Sequence, residues 1–138
     1  MPIQFANNEI NFKLKNKTKL KEWIKTVVEK EKLILGELSY IFCDDESLLK
    51  MNQQFLDHDT YTDIITFDYR EEKTVNGEIY ISVDRVRENA EKFETTFENE
   101  LHRVMIHGVL HICGYKDKTK AAKELMRKME DQSLKKLK

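Results

Sequence analysis

Two histidines, His107 and His111, lie four residues apart in the run HGVLHICGYKDKT. On an α-helix that spacing puts both imidazoles on one face, one turn apart. There they can share a metal ion. Gly114 follows as a helix stop, because glycine takes the left-handed backbone that ends many helices. The chain can then fold back and bring Asp117 to the same place. Two nitrogen donors and a carboxylate suit one Zn²⁺ with a fourth position left for water. The same donors accept Fe²⁺ or Mn²⁺. A metal so held lowers the pKa of its water and makes hydroxide available near neutral pH. Gly108 occupies the position where the zinc-protease pattern H-E-x-x-H carries its glutamate base, which argues against a peptidase. Its missing side chain is expected to leave space for a ligand beside the site. Cys113, two residues past His111, points to the far side of the helix and is a poor ligand.

The elements that position these residues follow from periodicity. From Val104 to Cys113 the chain is apolar almost all round, which marks a buried helix. Thr95 with Glu98 is a capping box that opens it. Upstream, Ile10, Phe12 and Leu14 alternate with polar residues and predict a first strand. Thr18 is placed to cap a helix with the stripe Leu20, Trp23, Ile24, Val27 and Val28. Leu38, Tyr40 and Phe42 predict a second strand. Asp44 or Asp45 caps the next helix, with Leu48, Leu49, Met51, Phe55 and Leu56 apolar. TDIITFDY (62–69) reads as a strand, Arg70 to Gly77 as a hairpin turn and EIYISV (78–83) as the return strand. A helix follows from about Asp84 to Phe93. A basic helix starting at Lys118 or Thr119 ends the chain, with Ala122, Leu125, Met126, Met129, Leu134 and Leu137 apolar. The order β, α, β, α, β, β, α, α, α predicts an α+β domain: a small mixed four-stranded sheet packed with helices.

Composition bounds the rest. The chain of 138 residues suits one domain spanning 1–138, with 40% hydrophobic and 36% charged residues. No apolar run approaches the ~20 residues of a membrane helix, and no signal-peptide pattern opens the chain. Two cysteines, Cys43 and Cys113, fit small core positions in a reducing cytoplasm. Net charge is −1, but residues 1–35 balance at +4, 36–114 at −10 and 115–138 at +5. The basic ends can track a phosphate backbone. They can equally be the solvated faces of amphipathic helices.

HGVLHICGY followed by an acid, preceded by TDIITF and GEIYIS, resembles the YbeY family of bacterial metal-dependent endoribonucleases. That family's motif is H-G-x-L-H-x-x-G-Y-D-H, with upstream T-D-V-L-S-F and G-D-I strands. The resemblance spans about Asn52 to Met129. It implies a zincin-like fold with the metal site on a buried central helix, and one metal, usually taken as zinc. It also implies single-strand-specific cleavage of RNA in maturing the 3′ end of small-subunit (16S) ribosomal RNA and in ribosome quality control. The expected partners are ribosomal RNA and the small ribosomal subunit, with no DNA and no membrane.

Carried over by position, the ligands are His107, His111 and, where the family has a third histidine, Asp117. The family also places an arginine four residues after the asparagine matched by Asn52, and here that residue is Leu56. Leucine cannot contact phosphate. Arg103, one turn before His107 on the same face, is the first candidate to replace it, and His58 the second. Thr62, Asp63 and Thr66 match the family's T-D and serine positions. Two rivals to the nuclease follow. One is a non-catalytic, metal-stabilised factor binding the ribosome or a protein, which Leu56 favours. The other is a metal-dependent hydrolase of small substrates.

Overall fold

The computed structural model describes residues 3–56 and 61–137. The elements run β1 (Ile3–Asn7), α1 (Lys17–Lys30), β2 (Ile34–Cys43), α2 (Asp45–Leu56), β3 (Ile64–Asp68), β4 (Thr74–Ser82), α3 (Val83–Lys92), α4 (Phe97–Ile112) and α5 (Lys120–Leu137). The strands form one sheet in the order β1-β2-β4-β3. β1 is parallel to β2 and β2 to β4, while β3 is antiparallel to β4. The α+β class and the mixed four-stranded sheet match the expectation from the sequence.

Alternation decides which side of the sheet is covered. Leu38, Tyr40 and Phe42 on β2 are buried beside Gly77, Ile79 and Ile81, their register partners on β4. This face meets α4, whose Val104, Met105, Ile106, Val109, Leu110 and Ile112 are buried. Each such side chain contributes roughly 1.5–3 kcal/mol on leaving water, so α4 supplies a large share of the core. The Tyr40 hydroxyl donates to the Met105 carbonyl oxygen at 2.9 Å, pinning helix to sheet. The Trp23 Nε1–H donates to the Ser133 carbonyl oxygen at 2.7 Å and ties α1 to α5. On the opposite face Cys43, Leu48 and Ile65 are buried, with Met51, Phe67 and Tyr80 packed against them.

Several expectations are corrected. The first strand is Ile3–Asn7, not the run Ile10 to Leu14. Residues 3–7 take the hydrogen bonds of the β2 edge, and the chain turns at Glu9 with φ 58°. Ile10, Phe12 and Leu14 still pack on the core. Their alternation therefore reports one covered face, which does not require a ladder.

Gly77 is not in the hairpin turn. The turn lies at 71–74, closed by reciprocal backbone bonds between Glu71 and Thr74 of 3.1 and 2.8 Å. Gly77 is inside β4, where a Cβ would stand 2.6 Å from the Phe67 carbonyl oxygen and 2.7 Å from Ile112 Cδ1. Gly108 opens no ligand space either. A Cβ there would meet Ile79 Cδ1 at 2.8 Å and Ile64 Cδ1 at 3.1 Å, so the glycine lets α4 settle onto the sheet.

The caps also shift. Thr96, not Thr95, caps α4, accepting from the Asn99 N–H at 3.1 Å. Thr18 lies inside α1, whose cap position is Asn16 with no side-chain cap bond. Asp44 and Thr119 do cap their helices, accepting from Ser47 N–H at 2.8 Å and Ala122 N–H at 3.0 Å. On α2 the expected apolar residues Phe55 and Leu56 are exposed.

Candidate metal and catalytic centre

Both candidate histidines sit on the last two turns of α4, half-buried. The helix ends as its sequence requires. Gly114 has φ 115°, its N–H bonds the His111 carbonyl oxygen, and the Tyr115 N–H reaches back to Leu110. Arg70 closes the same end from the hairpin, its Nη1 donating to the Ile112 and Cys113 carbonyl oxygens at 3.3 and 3.0 Å. The turn after Gly114 brings Asp117 back to the helix. Asp117 Oδ2 lies 3.5 Å from His107 Nε2.

The outer ring nitrogens take partners inside the protein. His107 Nδ1 is 2.6 Å from Glu130 Oε2, and His111 Nδ1 is 3.3 Å from the Tyr115 carbonyl oxygen. A carboxylate and a carbonyl oxygen only accept, so each Nδ1 carries the proton. In the neutral ring each Nε2 is thereby left with its lone pair, the state in which imidazole binds metal. The 3.5 Å between His107 Nε2 and Asp117 Oδ2 is close to the roughly 3.4 Å edge of a tetrahedron with ~2.1 Å bonds. The donor set therefore fits a small divalent cation at these two atoms. Among the described residues, no three His, Cys, Asp or Glu side chains are gathered as a metal cluster. His107 and Asp117 are brought together, and His111 stands one turn further along α4 with its Nε2 available.

Electrostatics around His107 is dominated by carboxylates. Burial works against the charged imidazole, but the Glu130 hydrogen bond and charge, then Asp117 and Asp63, outweigh it, and its pKa lies above the ordinary range. Asp63, just before β3, has its carboxyl pushed up by burial, with His107 pulling the other way. Glu100, one turn before Arg103 on α4, is also pushed up, by burial and then by Asp63. Asn89 on α3 donates to Asp63 Oδ2 at 3.5 Å. The Thr62 hydroxyl bonds the Ile64 carbonyl oxygen at 3.2 Å, and Thr66 pairs with Ile79 inside the sheet.

Arg103 shares the helix face with His107 as expected, but its guanidinium is already held. Nη1 donates to Glu130 Oε1 at 3.0 Å and Nη2 to Asp131 Oδ1 at 2.7 Å. His58 lies outside the described residues. Leu56 closes α2 and is exposed. The fourth histidine, His102, stacks edge-on with Trp23 at 6.2 Å, and burial lowers its pKa.

Glu130 and Asp131 were not found from the sequence, although a signal existed. Glu130 falls between Met126 and Leu134 at four-residue spacing, an acid within the buried row of α5. An acid in that row needs a cationic or N–H partner beneath it.

A family model described as Endoribonuclease YbeY matches residues 3–138. A relative from Flavobacterium psychrophilum named Endoribonuclease YbeY is 54% identical over 129 residues, covering 94% of this chain and 92% of its own. One of the same name from Cytophaga hutchinsonii is 51% identical over 133 residues, covering 96% and 93%. Among solved structures, TM1509 from Thermotoga maritima is similar with a TM-score of 0.67 and 32% identity, covering 98% of this chain and 88% of that one.

Proposed function

The chain belongs to the YbeY endoribonuclease family, and from that membership we propose that it is a metal-dependent endoribonuclease of single-stranded RNA. Its work is the maturation of the 3′ end of 16S ribosomal RNA and ribosome quality control, in the cytoplasm and on the small subunit. No helix among the described residues is long and apolar enough to cross a membrane.

The observation that carries the metal site is the orientation of the two imidazoles. Each has Nδ1 committed to a protein acceptor, and Nε2 of His107 faces Asp117 at 3.5 Å. His107, His111 and Asp117 would hold the ion, with Zn²⁺ the best match to the donors. When bound, such an ion supplies a Lewis acid for a phosphoryl oxygen and a water activated for attack. The remaining work falls to the chain. Glu130 and the Tyr115 carbonyl oxygen keep the imidazoles aimed. Gly114 turns Asp117 towards them, and Arg70 secures that turn. Arg103 braces Glu130, which leaves His58 as the candidate cation for the scissile phosphate. Lysines of α1 and α5 attract the RNA backbone.

Leu56 supports a second reading, a metal-stabilised factor that binds the ribosome without cutting. Purified protein on single-stranded RNA, with and without chelator, separates the two. Cleavage abolished by chelator and by the His107→Ala, His111→Ala pair supports the enzyme. Cleavage that persists in the pair comes from a contaminant and sinks it. Metal-dependent binding without cleavage supports the second reading.

A further inference from the structure

We propose that Glu130 is the positioning residue of this site, fixing His107 in the tautomer with its proton on Nδ1 and its lone pair on Nε2, towards Asp117. The inference rests on His107 as a metal ligand and extends it to α5, 23 residues further along the chain. Both oxygens of Glu130 are committed. Oε2 takes the Nδ1–H of His107 at 2.6 Å, and Oε1 takes Arg103 Nη1 at 3.0 Å. The side chains are shielded from water, with Glu130 at 7% and Arg103 at 14% exposure. Arg103 is fixed in turn because Asp131 holds its other arm at 2.7 Å. A guanidinium is a rigid fork of donors with no acceptor. It therefore dictates which way the Glu130 carboxyl plane lies. The second oxygen can then only meet His107.

This chain of constraints predicts a specific inversion. In Glu130→Gln the side chain has one oxygen and one NH₂ group. The oxygen must face Arg103, since NH₂ against a guanidinium sets donor against donor. The NH₂ then faces His107 Nδ1, which must become the acceptor. The proton moves to Nε2, and the lone pair aimed at Asp117 is lost. Replacing Arg103 by Met frees the glutamine to turn over, and in the double variant the proton returns to Nδ1.

The tautomer is read in metal-free protein from long-range ¹H–¹⁵N correlations of the imidazoles, above the titration of His107. The expected results are Nδ1–H in the wild type and in Arg103→Met, Nε2–H in Glu130→Gln, and Nδ1–H again in the double variant. In parallel, zinc affinity measured against a competing chelator should fall about 10- to 100-fold in Glu130→Gln and recover in the double variant. A purely structural glutamate would give a loss without inversion or recovery. Nε2–H in the wild type overturns the proposal whether or not any variant folds, as does a Glu130→Gln protein that keeps Nδ1–H. A wild type that holds Nδ1–H but binds no zinc supports the positioning role and overturns the metal reading alone.

Discussion

At the scale of single residues, burial and charge oppose each other around His107, and carboxylates prevail. The same neighbourhood charges a cost to its acids. Glu100 has a raised pKa in the folded chain, caused first by burial and then by Asp63. A group whose folded pKa lies above its unfolded value contributes stability below the unfolded pKa and loses it as pH rises through the folded one. Ionised Glu100 therefore destabilises the protein at neutral pH. Glu100→Gln should raise the thermal midpoint at pH 7, and the gain should shrink as pH falls through the raised pKa. Melting curves from pH 4 to pH 8 check this, and a gain that persists unchanged in acid would refute it. The histidine pair, the Gly114 stop and the returning Asp117 were legible as local spacing. Glu130 was not, because its partners are 23 and 27 residues away. The row Met126, Glu130, Leu134 places this acid on the buried stripe, but only the fold names the partners it meets there. Arg103 was read on the right face, but its carboxylate partners could not be seen.

At the scale of elements, Gly77 and Gly108 stand where α4 and the sheet meet, and an added Cβ at either would collide across that contact. The sequence offers these residues in two roles, turn and ligand space, and the structure uses them in a third. Glycine in a strand marks either a turn or a close approach, and local pattern does not distinguish them. The two differ in what replacement should do. At Gly108 an added methyl meets the ends of isoleucine side chains, and alanine gains helix propensity of about 1 kcal/mol in partial compensation. At Gly77 it meets the backbone oxygen of Phe67, which cannot move without breaking the β3–β4 ladder. Gly77→Ala should cost about 1–3 kcal/mol in urea unfolding. Truncating Ile112 to Ala should not rescue it, because the Phe67 carbonyl remains. A Gly77→Ala protein as stable as the wild type would show that the Phe67 carbonyl does not hold this position to glycine. The element order and most helix bounds were legible because periodicity reports coverage. The misplaced first strand has the same origin, since an extended segment can be covered on one face without pairing.

At the scale of the whole molecule, the sequence segregates charge: basic at both ends and acidic between. α1 carries five Lys residues and α5 six Lys and Arg residues, and the Trp23–Ser133 bond holds these two helices together. RNA affinity should therefore fall steeply with salt, with log–log slope decreasing by about 0.7 for each phosphate contact removed from a single strand. Titrations at several salt concentrations, repeated on Lys120→Glu and Lys123→Glu, check this. Affinity indifferent to salt would remove the basic helices from the RNA-binding surface.

The bond from Trp23 to Ser133 spans 110 residues. Closing so long a loop is entropically costly and favours late docking of α5. During synthesis the two histidines leave the ribosome before Glu130 does. A nascent chain that has emerged only as far as Tyr115 carries both rings and the carbonyl oxygen that meets His111, but not the carboxylate that meets His107. The proposed site is therefore assembled in time as well as in space: the setting of His107 waits on the arrival of α5, and an interrupted translation product would carry the histidine motif without the carboxylate beside it.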